Sequence, residues 1–345
     1  MTTAVLIATI IKVVVFFHIA PIMVSLLTLA ERKVSAWIQF RYGPNRVGPW
    51  GLFQPIADGL KFFFKEEVVP EGANPILFRL APALAAGPAM MTIAVIPFTF
   101  PILIDGQPFS LAIADLNIGV LFFIAMSGLA VYGILLGGWA SNNKWSLLGG
   151  LRSSAQMISY ELSMMMSVIT VVMLTGTMNL GEMFTYQAHH TWVLFMFPVG
   201  TIAFVLFLIA AFAETNRLPF DLAECETELV GGFHTEYSSM KFALFFMGEY
   251  SAMFMMSCLL ATFFLGGPSF FGLIENMDSI WWRAILGFVV FMIKVGFFLF
   301  FYIWVRWTLP RFRWDQLMYL GWKILLPLSI LNLTATGILI ATGVL

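Results

Sequence analysis

Glu249 lies inside an apolar run, residues 240–265, where a carboxyl has few uses beyond carrying a proton or closing a buried contact. About nine residues precede it in that run, which at 1.5 Å per residue puts it roughly 13 Å deep, beyond the reach of snorkelling to water. An acid at a helix centre costs about 2.5–3.5 kcal/mol on insertion scales, so a functional carboxyl that relays a proton is the first reading and a structural hydrogen bond the second. Glu161, one turn into the run 157–176, and Glu214, closing the run 192–213, extend it into a polar line. Lys294, central in 283–306, also needs an internal partner; a functional role and packing against a carboxylate both remain open.

A second concentration of chemistry is the loop 213–241, where Glu214, Asp221, Glu224, Glu226, Glu228 and Glu236 gather six of the chain's 19 acids. Asp221 followed by Glu224 predicts a helix start, Glu224 and Glu228 share a face, and Gly231-Gly232 ends the helix. A solvated acidic loop is the plain alternative, but like charges four residues apart destabilise an exposed helix. A third segment, 31–80, begins with a loop from Arg41 to Gly51 whose three glycines and two prolines favour a fixed, turn-built structure. Behind it, residues 51–67 carry Phe53, Ile56, Ala57, Leu60, Phe63 and Phe64 at helical spacing, with Asp58, Lys61, Lys65 and Glu66 mostly off the stripe. That pattern predicts an amphipathic helix lying in the membrane interface, either floating at the headgroups or flanking an opening for a lipid-soluble substrate.

The acids and the loops hang on membrane spans. The chain has 345 residues, 60% hydrophobic and 11% charged, against about 25% charged in soluble domains. Eight apolar stretches can cross a bilayer: roughly 5–30, 81–104, 117–140, 157–176, 192–213, 240–265, 283–306 and 323–344. The expected fold is therefore an all-α polytopic membrane protein, one integral domain over 1–345, with a cytoplasmic loop at 31–80 and an acidic one at 213–241. Counted alternately, the segments 31–80, 141–156, 214–241 and 306–323 hold 15 of the 18 basic residues, whereas 105–116, 177–191 and 266–282 hold none. The positive-inside rule makes the basic set cytoplasmic and puts both termini outside. The first run is too long for a signal-peptide core and lacks a basic region before it, so it is expected to stay as a span. Gly133 and Gly137 form a GxxxG, read as close packing within the bundle in preference to a dimer interface.

Composition also excludes. A formal charge of -1 leaves no basic excess for a nucleic-acid backbone. Two cysteines cannot hold an iron–sulfur cluster alone, and of four histidines only His18 falls in a span, which argues against a membrane haem. No GxGxxG, P-loop, nucleophile elbow or HExxH occurs, so nicotinamide and flavin chemistry, and any metal site, are expected on other chains.

Four stretches carry a resemblance: ERKVSAWIQFRYGPNRVGPWGLFQPIADGLK (31–61), GWASNNKWSLLGGLRSSAQMISYE (138–161), AETNRLPFDLAECETELVGGFHTEYSSMKFALFFMGEY (213–250) and PRFRWDQLMYLGWK (310–323). Together they resemble the H-subunit family of respiratory NADH–quinone oxidoreductase, complex I, called subunit 1 in mitochondria. The likeness implies a membrane-arm subunit that forms much of a quinone tunnel, docks other membrane-arm and peripheral-arm subunits, and takes part in proton pumping without being catalytic in isolation. Quinone would be a substrate, and flavin, haem and iron–sulfur centres would sit on partners. Carried over by motif, Arg32, Arg41, Asp58, Phe246 and Arg306 would border the quinone path. Glu161, Glu214, Glu224, Glu226, Glu228, Glu236 and Glu249 would form the acidic path. A bacterial inner membrane is implied ahead of a mitochondrial one. One departure stands out: some relatives have a Glu where Gly128 precedes Leu129-Ala-Val-Tyr-Gly133, so the path here must pass that point by water or another route. The competing readings are a secondary cation or proton transporter, which predicts two similar halves that the sequence does not show, and the related subunit of a membrane-bound hydrogenase.

Overall fold

The computed structural model describes residues 3–104, 107–223, 229–277 and 279–343. Among them, seven helices are long and apolar enough to cross a membrane: Thr9–Ile38, Pro75–Val95, Gly119–Ala140, Lys144–Thr175, Ser239–Phe264, Ile280–Thr308 and Trp314–Ala341. The protein is an all-helical polytopic membrane protein with one small hairpin. In chain order the helices are α1 (Thr3–Ile38), α2 (Gln54–Phe64), α3 (Pro75–Thr92), α4 (Gly119–Ala140), α5 (Lys144–Thr175) and α6 (Leu180–His189). They continue as α7 (Val199–Glu214), α8 (Ser239–Phe264), α9 (Ile280–Thr308), α10 (Trp314–Tyr319) and α11 (Leu326–Ala341).

The expected fifth span differs from the rest. Its helix, α7, has 16 residues and is roughly 24 Å long, because residues 192–198 form a short 3-10 turn, Val193–Phe195, and then meet Pro198, which has no amide to donate. Gly200 follows where a Cβ would strike the Val193 carbonyl at 2.0 Å. Trp192 and Val193 are buried, as irregular backbone at membrane depth must be.

Helix boundaries also move outward from the apolar runs. With no Gly or Pro between Ala30 and Ile38, α1 continues two turns past the run and carries Glu31 and Arg32 in its C-terminal turns. Asn143 caps α5 by accepting from the Trp145 amide at 2.9 Å, so most of the predicted loop 141–156 is helix. Asn74 likewise caps α3, accepting from Ile76 and Leu77 with Pro75 at the first turn. The amphipathic helix is shorter than predicted, Gln54–Phe64 rather than 51–67. Gly51 sits at φ +74, where a Cβ would meet the Pro44 carbonyl at 2.2 Å, so the preceding loop closes on itself and delays the helix start. The hairpin pairs Ile102–Ile104 (β1) antiparallel to Gln107–Phe109 (β2).

Packing settles the GxxxG. A Cβ on Gly133 would lie 2.3 Å from the Ala85 amide, and one on Gly137 3.0 Å from the Phe245 ring, so this face is used up within the chain by α3 and α8. Among the described residues the hydrogen-bond partners of Lys294 are backbone carbonyls. Its Nζ donates to the carbonyls of Leu265, Gly267 and Ser269 at 2.6, 2.9 and 2.6 Å, beneath the Trp192 ring at 4.3 Å. Between α10 and α11 the helix makes one wide turn, Leu320–Leu325, against α5. There Tyr160 donates to the Leu317 carbonyl at 2.9 Å and Trp322 Nε1 to Ser159 Oγ at 3.1 Å.

Candidate functional site

The site grows from the end of α7. Asn216, at φ +49, terminates that helix: its amide bonds back to Ala213 and the Arg217 amide to Phe212, the two reverse bonds of a left-handed helix cap. The turn sends Arg217 back among the helices, where it is 3% exposed. Its Nη1 lies 3.0 and 3.3 Å from the two Glu31 carboxylate oxygens, and its Nε is 2.6 Å from Glu249 Oε1. Its guanidinium lies 4.3 Å from the Tyr250 ring centre, and the Tyr250 hydroxyl donates to Glu31 at 2.8 Å.

Glu31 also takes Arg306 Nη1 at 2.5 Å, and Arg311 pairs with Asp221 at 3.0 Å. Three acids and three arginines, from α1, the 215–223 loop, α8, the end of α9 and the segment after it, thus share one half-enclosed centre. Burial opposes the charge on Arg217, but Glu249 and Glu31 outweigh it and raise its pKa well above the usual arginine value. Burial raises the Asp221 carboxyl, with Arg311 pulling the other way. Because a guanidinium keeps its proton in proteins, such a centre responds to a change of charge by shifting pairs rather than by ionising Arg217.

A cavity of about 60 Å³ is lined by Glu249, Glu214, Thr215, Asn216, Met157 and Phe233, among others, and has room for at least two waters at about 30 Å³ each. Glu214 is 5% exposed, and its Oε2 has no hydrogen-bond partner among the described residues. Glu161, on α5, is close enough to repel Glu214 electrostatically and rests against Gly128 of α4. Glu249, Glu214 and Glu161, read from sequence as a line, are therefore brought together.

The other site residues divide. Arg306 joins the centre; Arg32 pairs with Asp58 at 2.6 Å, and Asp58 also accepts from Gln54, so this contact clamps the inner end of α1 to α2. Near the start of α8, Phe246 packs edge-on to His234 and tilted against Phe242. Arg41 is exposed and meets Gln39 at 2.6 Å, away from the centre. Glu236 accepts from Asn143 at 2.6 Å and so fastens its loop to the start of α5, outside the acid line. Glu224, Glu226 and Glu228 lie outside the described residues.

Glu31, Arg217, Tyr250 and Arg311 were missed as site residues. The available signal was weak: charges directly at the ends of apolar runs, a place where most charges merely mark the interface.

The sequence profile of the NADH dehydrogenase family matches residues 11–337. One of the NADH-quinone oxidoreductase H subunits of Cytophaga hutchinsonii is 49% identical over 326 residues, 93% of this chain and 93% of its own. The Flavobacterium johnsoniae H subunit is 48% identical over 342 residues, covering 99% and 97%, and that of Flavobacterium psychrophilum 49% over 341, covering 98% of each. With matches of this depth running from the first span to the last, the chain belongs to the NADH dehydrogenase family, beside the H subunits of NADH-quinone oxidoreductase.

Proposed function

We propose that the protein is the membrane-arm H subunit of a proton-pumping NADH–quinone oxidoreductase in a bacterial inner membrane, with the redox centres on its partners. On this reading it forms much of the quinone tunnel, and its buried charges convert quinone reduction into proton movement. The observation that carries the proposal is the cavity joining Glu249 to Glu214 directly behind the Glu31–Arg217–Arg306 centre.

The tail of the quinone enters between α1 and α2 beside the Arg32–Asp58 clamp, where Phe53, Ile56 and Phe63 offer an apolar outer surface. The headgroup passes the arginine-rich centre and the Arg41 loop on its way to a partner chain. A charge change there alters what Glu31 and Arg306 share. Arg217 then leans toward Glu31 and loosens from Glu249, whose carboxyl gains a reason to take a proton. Water in the cavity can hand that proton to Glu214, and Glu214 passes the disturbance to Glu161. Lys294, the second intramembrane charge behind the transporter reading, is tied to loop carbonyls, which removes its support for that alternative.

The test is Glu249→Gln in the assembled complex. Quinone-linked turnover and proton pumping should fall together by about 10-fold or more, the scale of a lost proton-transfer group, while NADH oxidation with an artificial acceptor reports intact assembly. Full coupled turnover in an assembled Gln variant would reduce Glu249 to a structural partner of Arg217.

A further inference from the structure

Glu161 is held in an unusual way. On α4, Ser127 and Gly128 form a notch facing α5, and the carboxylate of Glu161 lies in it. A Cβ on Gly128 would come within 3.2 Å of Glu161 Oε1, tighter than most side-chain contacts, and 3.9 Å of Oε2, so a side chain there obliges the carboxylate to shift by a few tenths of an ångström. Ser127 is buried, donates to the Ile124 carbonyl at 2.9 Å, and has its hydroxyl within bonding reach of the same carboxylate.

A hydroxyl has one proton and two acceptor lone pairs. When Glu161 is protonated, its O–H can donate to Ser127 Oγ while the serine proton stays on Ile124, and both groups are satisfied. When Glu161 is ionised it needs a donor, and the serine must turn its single proton from the Ile124 carbonyl to the carboxylate. The proton passes between Glu161 and the Glu214 carboxyl, directly or through water, so that one carboxyl O–H bond breaks as the other forms, while the serine keeps its proton and merely rotates. Glu214, on α7, is close enough for the charge of Glu161 to act on it, so the protonation of the two acids is linked.

We infer that Ser127 and Gly128 are positioning residues of the proton path, a cradle in which Glu161 changes charge without moving away from α4. The inference rests on the proposed function and deepens it. It also gives a use to the missing side chain at 128, because the carboxyl of Glu161 occupies the ground a larger residue would take.

The experiment uses the assembled complex in membranes, with redox-induced infrared difference spectra and quinone-linked kinetics. The carboxyl band that disappears in Glu161→Gln identifies Glu161. Ser127→Ala and Gly128→Ala should each shift that band and lower kcat by about fivefold, the worth of one hydrogen bond, with KM for quinone unchanged. Ser127→Thr, which keeps the hydroxyl, should restore the band and the rate. If Gly128→Ala does not assemble, the Ala and Thr variants at Ser127 carry the test. Should Glu161→Gln impair coupling while the Ser127 and Gly128 variants leave band and kcat as they were, the cradle is wrong and the acid line stands. If Glu161→Gln leaves coupled turnover intact, the acid line fails at this residue, and an unshifted band then overturns the cradle as well.

Discussion

His234 shows how a single half-buried group gives the loop before α8 a pH dependence. It lies among Phe233, Phe242 and Phe246, and burial lowers its pKa from 6.5 to about 4. The unfolded loop therefore binds a proton between those values and the folded loop does not, so packing of the 229–238 segment weakens as pH falls from about 6.5 toward 4. Above 6.5 both states are neutral, and this dependence vanishes. Amide hydrogen exchange across 229–238, corrected for intrinsic rates, should rise on acidification in the native chain and stay flatter in His234→Phe; identical profiles would show that the imidazole does not govern the loop. The acids are a different matter for a reader of sequence. Glu249 was legible because an acid in an apolar run stands out, but its arginine was not: Arg217 comes 32 residues earlier and lies outside any span, and only the left-handed cap at Asn216 turns it inward.

At the scale of elements, spans were readable because about 20 apolar residues have few alternatives, whereas ends were not, because capping by Asn74 and Asn143 and the absence of breakers after Ala30 extend helices beyond the hydrocarbon signal. The reduced length of α7 depended on Pro198 and on contacts of Gly200 that no periodicity reveals. The loop linking α8 to α9 depends on one ammonium. Lys294→Met keeps an apolar stem but removes the donor from three carbonyls, each bond to a charged group being worth about 1.5–3 kcal/mol. Hydrogen exchange at residues 265–273 should accelerate more than tenfold in this variant. Protection equal to the native chain would mean that Trp192 and its aromatic neighbours hold the loop without the lysine.

For the whole molecule, the uneven placement of basic residues predicts an orientation with the basic segments inside. In a chain with Cys225 and Cys258 replaced, single cysteines at 107–116 or 177–191 should react with an impermeant reagent applied outside intact cells, and cysteines at 39–74 should not. Outside labelling of the 39–74 segment would invert the arrangement. Phe40 and Tyr42 in the loop after α1 are 99% and 93% exposed, aromatic surface of the kind that a partner chain would cover in the proposed complex.

The order of synthesis gives the arginine centre another meaning. Glu31 leaves the ribosome early, Arg217 follows 186 residues later, and Arg306 only after 275. A nascent chain that has inserted α1 through α8 holds Glu31, Asp221 and Glu249 against Arg217 alone, a surplus of two negative charges among its inner helix ends. Arrival of α9 and the segment behind it cancels that surplus, so neutrality of the centre reports that synthesis has passed Arg311. Chains stopped after residue 277 should accordingly be cleared by membrane quality-control proteases several-fold faster than complete ones, with pulse–chase lifetimes as the measure. Equal lifetimes would show that the cell does not read this imbalance.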